Sequence, residues 1–133
     1  MTTQTGNAAV AESIVAAMQA GDIEGVLARF HPEIEIHEAD SLPFGGVFRG
    51  HSGFQDLLRR LLGPAELSID TATIREADDA VFILMDVSLT SRSTGRTLKT
   101  EILEMERFQD GLVRRIDVFY KDTKQVTAWL AQT

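Results

Sequence analysis

Residues 103–120 read LEMERFQDGLVRRIDVFY, in which two runs of interleaved apolar and charged side chains flank Asp110-Gly111. Interleaving with a period of two is typical of β-strands, and Asp-Gly between two such runs is a strong hairpin signal. The same pattern extends toward the N-terminus and predicts strands over residues 66–76, 80–91, 97–108 and 112–120. Because only short turns separate these strands, we expect them to form an antiparallel meander.

The N-terminal quarter of the chain has a helical period instead. An apolar stripe from Ala8 onward predicts a first helix, which Gly21 ends. Asp22 is a suitable N-cap for a second, short helix, which we expect to run to Phe30 and to be closed by Pro32. Two helices are therefore expected before the first strand.

One strand, one loop and one helix lie between these helices and the meander. Residues 33–38 alternate and predict a strand, whereas residues 39–50 contain one proline and three glycines and predict a loop. A third, amphipathic helix is expected to open at His51 or Ser52 and to end before residue 63. A last short helix is expected after the meander.

This order of elements predicts an α+β fold. A strongly curved antiparallel sheet wrapped around the N-terminal helices forms a cone with an open mouth, which is a natural small-molecule pocket. A chain of 133 residues suits one domain, so residues 1–133 are assigned to a single domain, and residues 1–7 are expected to be disordered.

The composition argues against several classes of function. A net charge of −7 argues against nucleic acid or an anionic membrane as partner, since both require a positive face. The chain has no cysteine, and its three histidines lack the close spacing of a metal site. No phosphate-binding loop or nucleophile elbow occurs, so no metal and no cofactor are expected. Without a signal peptide or membrane span, a cytoplasmic protein is expected.

Four segments of the chain resemble those of a known superfamily. They are AAMQAGDIEGV (16–26), FHPEIEIHE (30–38), FRGHSGF (48–54) and ERFQDGLV (106–113). These segments are similar to those of nuclear transport factor 2-like proteins, in particular the SnoaL-like cyclases and the ketosteroid isomerases. The resemblance covers nearly the whole chain and implies the cystatin-like α+β barrel. That fold hosts isomerases, cyclases, epoxide hydrolases and dehydratases, and also proteins without catalytic activity, so function must be argued from the site.

Glu38 is the first candidate catalytic residue. Ile34, Ile36 and Glu38 share one face of the first strand, so two isoleucines lead to Glu38 on the apolar side. The resemblance places the general-base carboxylate of ketosteroid isomerases at this position. A partly desolvated carboxylate has a raised pKa and can remove a proton from carbon next to a carbonyl. The alternative is an exposed glutamate at the end of a strand.

Glu104 is the second candidate. It lies in the middle of a strand, on the same face as Ile102 and Glu106. The resemblance aligns it with the carboxylic acid that ketosteroid isomerases keep neutral in an apolar site, so that it donates to an oxyanion. The alternative is an ion pair across the sheet with one of three arginines, Arg107, Arg114 or Arg115.

Two further candidates lie on the last strand. Ketosteroid isomerases carry an oxyanion-hole tyrosine on the first helix, where this chain has Ile14, so the resemblance argues against steroid isomerisation. Tyr120 is a replacement donor if it faces inward with Val118, and otherwise a packing residue. SnoaL-like cyclases have a catalytic aspartate at the position of Asp117, but the alternation that turns Tyr120 inward turns Asp117 outward. The sequence leaves both orientations open.

The walls of the pocket are predicted from the inward positions of helices and strands. The expected substrate-binding residues are all apolar: Ile14, Met18, Phe44, Phe48, Phe54, Leu58, Ile83, Met85, Val87 and Val118. Phe44 and Phe48 lie in the glycine-containing loop beside Glu38, where they either form a lid or complete the core. An apolar stripe of this kind is also typical of ordinary core packing.

These observations lead to two hypotheses. In the first, the chain is a cofactor-independent enzyme acting on a small apolar carbonyl or epoxide compound. Glu38 is its base and Glu104 its acid in an isomerase, cyclase or epoxide hydrolase reaction. In the second, it is a non-catalytic ligand-binding or dimeric accessory protein of the same fold. A homodimer is expected in both, because outward meander positions are apolar: Phe82, Leu84, Leu103, Met105 and Phe119.

Overall fold

The computed structural model describes residues 6–132 of the chain. The helices are α1 (Gly6–Ala20), α2 (Ile23–Leu27), α3 (Gly50–Leu62) and α4 (Thr123–Leu130). The strands are β1 (Phe30–Glu38), β2 (Gly46–Arg49), β3 (Ala65–Glu76), β4 (Val81–Ser91), β5 (Thr97–Gln109) and β6 (Leu112–Tyr120). Disorder was expected over residues 1–7. Gly6 and Asn7 belong to α1, so for these two the prediction is wrong, and the others lie outside the described residues.

The strands form one curved, unclosed sheet in the order β2-β1-β6-β5-β4-β3, which together with the helices gives the expected α+β class. Strands β3 to β6 pair antiparallel with their sequence neighbours, and this confirms the predicted meander. β1 pairs antiparallel with β2 but parallel with β6, so the sheet is mixed rather than wholly antiparallel. The parallel pair is possible because α3 and four strands, β2 to β5, provide the long connection that it needs.

The hairpin between β5 and β6 turns at Asp110-Gly111. Both residues have positive φ angles, 56° and 78°, as the two central residues of a type I′ turn require. Glycine reaches this region without strain, and aspartate is among the residues that tolerate it. The hairpin signal read from the sequence is therefore confirmed.

The start of β1 differs from the prediction. α2 ends at Leu27 and Phe30 already belongs to the strand, so the expected helix to Phe30 and its closure by Pro32 are wrong. The ladder between β1 and β6 is interrupted between Phe30 and Glu35. Pro32 lies in this interruption, where its missing N–H removes no ladder hydrogen bond.

β2 is a strand that the sequence analysis assigned to a loop. Gly46 begins the strand and Gly50 follows it, with positive φ angles of 110° and 71°. Glycines around only two apolar residues, Val47 and Phe48, have the pattern of a turn, whereas antiparallel pairing with β1 makes the segment an edge strand. The loop itself is confined to residues 39–45.

Helices α1 and α3 pack on one face of the sheet. α1 contacts β3 and β4, and α3 contacts β1, β2 and β3. The residues of β4 that face the helices alternate along the strand and are buried: Val81, Ile83, Met85, Val87 and Leu89. This buried layer determines which side chains of the neighbouring strands also face the helices, because paired residues point to the same side of a sheet.

Ile34 is completely buried on the inner face of β1. We expect Ile34→Ala to lower the free energy of unfolding by about 2–5 kcal/mol, because the change removes buried apolar atoms and leaves a cavity. Val47→Ala, at an exposed position of β2, is the matched control and should cost less than about 0.5 kcal/mol. Urea unfolding followed by circular dichroism measures both losses. Equal, small losses would contradict the inward orientation of Ile34.

Candidate functional site

An apolar cavity of about 110 Å³ lies between the helices and the sheet. Its lining comes from α1, α3 and every strand except β2. Among the described residues that line it, only Glu38, Glu104 and Tyr120 have polar side chains. The three polar groups therefore face a space that is otherwise lined by aliphatic, phenyl and methionine side chains.

Eight of the ten predicted lining residues contact this cavity. They are Ile14, Met18, Phe54, Leu58, Ile83, Met85, Val87 and Val118. The lining also includes residues that were not predicted to bind substrate: Val15, Leu57, Leu61, Leu67, Ile69, Leu89 and Ile102. Several of these follow from the same periodicity, since Leu89 and Ile102 continue the inward alternation of β4 and β5. Leu67 and Ile69 lie on β3, whose inner face the sequence analysis did not assign.

Phe44 and Phe48 are buried but lie outside the lining of the cavity. The ring of Phe44 packs edge-on against Tyr120, with 6.1 Å between ring centroids. The guanidinium carbon of Arg60 lies 5.8 Å from the centroid of the Phe48 ring. The structure thus places both phenylalanines in the packing around the cavity, and their contact with a substrate stays a prediction.

Glu38 and Glu104 lie on opposite sides of Val118. Glu104 pairs with Val118 on β6 and with Ile83 on β4. His37 pairs with Asp117, so the next step of the parallel ladder brings Glu38 beside Val118. Adjacent strands are about 4.8 Å apart, which separates the two glutamate backbones by roughly 10 Å. A small molecule above Val118 therefore has a carboxyl group on each side.

Glu38 faces the cavity, as the alternation along β1 predicted. Its Oε1 atom is buried and has no hydrogen-bond partner among residues 6–132. Burial and, to a smaller extent, the nearby charge of Glu104 together raise the pKa of Glu38 to about 8. At neutral pH the side chain is therefore mostly a neutral carboxylic acid.

Glu104 also faces the cavity, and burial raises its pKa to about 7. The residue is half-buried and forms part of the cavity lining. Two of the three arginines considered as ion-pair partners make other contacts. Arg115 binds Asp117, and Arg114 donates to the carbonyl oxygen of Glu33. The orientation therefore favours the functional interpretation of Glu104 over the ion pair.

Tyr120 lies on the cavity side of β6. Burial, together with the charges of Glu38 and Glu104, raises the pKa of its phenol well above the usual value. The hydroxyl group is therefore protonated at any working pH and is available as a hydrogen-bond donor. Of the two interpretations of Tyr120, the structure favours the inward donor.

Asp117 lies on the opposite face of the sheet. Its carboxylate accepts hydrogen bonds from Arg115 Nε at 3.0 Å and from Arg115 Nη2 at 2.9 Å. These bonds lower the pKa of Asp117, and the charges of Arg115, His37 and Arg107 act in the same direction. Asp117 was predicted to be catalytic, but the structure does not place it at the cavity. Of the inward and outward orientations that the sequence left open, the structure has the outward one.

Glu106 is a buried acid that the sequence analysis gave no role. It is fully buried, and neither carboxyl oxygen has a hydrogen-bond partner among residues 6–132. Burial, and next the charge of Glu104, raise its pKa well above the usual value. The sequence feature that could have identified Glu106 is the alternation along β5, which places it on the same face as Glu104, two residues further along the strand.

Within residues 6–132, no group of three or more histidine, aspartate or glutamate side chains is arranged to hold a metal ion. In that part of the chain, no helix combines the length and the apolar character of a membrane span.

A curved six-stranded sheet with the N-terminal helices on one face is the fold of the nuclear transport factor 2-like class. The SnoaL-like domain family matches residues 11–116, so the chain belongs to this family. No curated protein matches the sequence significantly.

Solved structures show the same fold. A nuclear transport factor 2-like protein of unknown function from Burkholderia pseudomallei has 19% identity and a TM-score of 0.87, covering 96% of this chain and 98% of its own. TerC, crystallised with polyporic acid, has 21% identity and a TM-score of 0.86, with coverages of 96% and 99%. A candidate polyketide cyclase from Xanthomonas campestris has 18% identity and a TM-score of 0.80, with 96% of each chain covered. At these identities the similarity establishes the fold.

Proposed function

We propose that the chain is a cofactor-independent enzyme that moves a proton on a small apolar carbonyl or epoxide compound. The observation that carries this proposal is the pair of cavity carboxyls, Glu38 and Glu104, whose pKa values of about 8 and about 7 lie close to neutral pH. An acid and a base are most effective when their pKa values lie near the working pH. The reaction types that fit are isomerisation, cyclisation and hydrolytic ring opening.

Glu104 is the proposed base and Glu38 the proposed acid. The charge of Glu104 is one of the causes that raise the pKa of Glu38, and this fits an ionised Glu104 near a protonated Glu38. The Tyr120 hydroxyl lies on the cavity wall with Glu38, so two O–H donors are available for a carbonyl or epoxide oxygen. This assignment exchanges the roles that the sequence analysis expected for the two glutamates.

The size of the cavity limits the substrate. A volume of about 110 Å³ is slightly smaller than an engineered apolar cavity of about 150 Å³ that binds benzene. The proposed substrate is therefore a molecule with a single small ring or a comparable chain. TerC, a structural neighbour, was crystallised with polyporic acid, which supports ligand binding within this fold.

Deuterium exchange tests the proposal without knowledge of the natural substrate. Cyclopentanone and cyclohexanone are incubated with the protein in D₂O, and incorporation at the carbon next to the carbonyl is followed by NMR. We expect faster incorporation than in buffer, saturating with ketone concentration. A small epoxide in ¹⁸O-labelled water is the second arm. Saturable binding without acceleration in either arm would contradict the enzyme and favour the ligand-binding alternative.

We also propose that the protein is a homodimer formed through the outer face of the sheet. The outer apolar patch, defined as Phe82, Leu84, Leu103, Met105 and Phe119, includes two large side chains that are about half exposed, Leu84 at 51% and Phe119 at 53%. Leu84, Leu103 and Phe119 are cross-strand neighbours in one row. Beside the patch, charges of both signs form pairs, including Glu35 with Arg49 at 2.9 Å. The same face of a second copy can cover the apolar patch and can place opposite charges against these charged side chains.

The double change Leu84→Ser and Phe119→Ser is expected to convert the dimer to a monomer. It removes the most exposed apolar area of the outer patch without altering the buried face of the sheet. Sedimentation velocity at several concentrations measures the result, and Glu24→Ser on the exposed surface of α2 is the control. A monomeric unmodified protein at tens of micromolar would contradict the proposal.

A further inference from the structure

Glu106 is an acidic side chain within the apolar core. It is 0% exposed, and both of its carboxyl oxygens are without a hydrogen-bond partner among residues 6–132. Its cross-strand neighbours are Val81 on β4 and Ile116 on β6, and both are buried apolar residues. A buried polar group without a partner reduces stability, so its presence calls for a physical explanation.

Glu104 is the ionisable group next to Glu106 on the same face of β5. Two residues along a strand span about 7 Å, and two glutamate side chains are long enough to meet across that distance. The adjoining strands present Val81 and Ile116 to Glu106, while Glu38 and Tyr120 face Glu104 from the cavity side. Among these neighbours, Glu104 is therefore the group with which Glu106 can exchange a hydrogen bond.

The two acids differ in their access to the cavity. Glu104 lines the cavity, whereas Glu106 is not part of the lining. Ionisation of a group without access to water leaves an uncompensated charge in the core, so the proton is retained more strongly by Glu106 than by Glu104. A protonated carboxyl can donate one hydrogen bond, and an adjacent carboxylate is the strongest acceptor available to it.

We propose that Glu106 is a positioning residue for Glu104. Its carboxyl group has no hydrogen-bond partner among the described residues, and by a rotation of the side chain it donates a hydrogen bond to the Glu104 carboxylate while it keeps its own proton. The inference rests on the proposed function, in which Glu104 is the base. Glu104 takes the substrate proton and later returns it, while the Glu106 proton remains on Glu106 throughout. Glu106 thereby holds the carboxylate of Glu104 in one orientation and makes its ionisation possible in an apolar wall.

Two variants separate this role from a purely structural one. Glu106→Gln preserves the shape and an N–H donor, whereas Glu106→Met preserves the approximate size and removes the donor. The pKa of Glu104 is measured for both by ¹³C NMR of the labelled side-chain carboxyl, without substrate. We expect the titration midpoint of Glu104 in Glu106→Gln to stay within about half a pH unit of its value in the unmodified protein. Glu106→Met should raise it by about one to two units, since a hydrogen bond to a charged group has that effect.

A second measurement on the unmodified protein does not depend on how the variants fold. The carboxyl resonance of Glu106 should keep the shift of a protonated acid while Glu104 titrates. Ionisation of Glu106 before Glu104 would overturn the proposal, and so would equal Glu104 midpoints in the two variants. If the midpoints are as expected but the protein does not accelerate deuterium exchange, the Glu104–Glu106 hydrogen bond is supported and the proposed enzymatic function is contradicted.

Discussion

Glu104→Gln is expected to reduce the protein-catalysed deuterium exchange of a small cyclic ketone by about 10²–10⁴-fold, the usual contribution of general acid–base catalysis. Glutamine fits the same space beside Ile83 and Val118 but cannot accept the proton. The initial rate of deuterium incorporation, measured by NMR at saturating ketone, gives the size of the loss. Glu101→Gln is the matched control on the same strand, since the Glu101 side chain lies at the surface and contacts Lys121 at 3.5 Å.

The pH dependence of the same exchange reaction distinguishes base from acid. The unmodified protein should show a bell-shaped profile, rising as Glu104 ionises near pH 7 and falling as Glu38 loses its proton near pH 8. Glu38→Gln should remove the alkaline limb and leave partial activity, because an amide still donates a hydrogen bond. Loss of the acidic limb in Glu38→Gln would instead identify Glu38 as the base, as the sequence analysis expected.

Glu38→Gln is expected to stabilise the folded protein at alkaline pH. Burial raises the pKa of Glu38 from 4.5 to about 8, so the folded state binds the proton more tightly than the unfolded state. Stability is then fully present below pH 4.5 and is lost as the pH rises toward 8. A shift of this size corresponds to about 3–5 kcal/mol. The uncharged glutamine avoids this loss.

Urea unfolding at pH 5 and at pH 9 measures the effect. The two proteins should unfold at similar urea concentrations at pH 5, and Glu38→Gln should require clearly more urea at pH 9. Glu33→Gln, at an exposed position of the same strand, is the control and should behave like the unmodified protein at both pH values. Parallel curves for Glu38→Gln and the unmodified protein would show that the Glu38 carboxyl is solvated.

The inward glutamates could be predicted because alternation along a strand is a local property. Ile34 and Ile36 orient Glu38, and Ile102 orients Glu104, since one face of a strand must be buried and the period is two. The same rule excluded Asp117 from the cavity once Tyr120 was known to face inward. The Asp110-Gly111 hairpin was equally local, because the turn type depends on the backbone preferences of two residues.

Other features depend on tertiary contacts and were not predicted. β2 exists because its four residues pair with β1, and nothing in a sequence rich in glycine signals that pairing. Phe44 and Phe48 follow Glu38 by six and ten residues, but the loop of residues 39–45 places Phe44 against Tyr120 rather than in the cavity. Glu106 lies on the same face of β5 as Glu104, so the sequence predicts its direction. Its complete burial depends on the pairing with Val81 and Ile116 on the two neighbouring strands.

The most direct test of the account is a ¹³C NMR titration of the Glu38 side-chain carboxyl, assigned by comparison with Glu38→Gln. An apolar cavity that shields this carboxyl from water predicts a midpoint of about 8. A midpoint near the ordinary glutamate value of about 4.3 would mean that the carboxyl is hydrated, and would contradict the proton-transfer site itself.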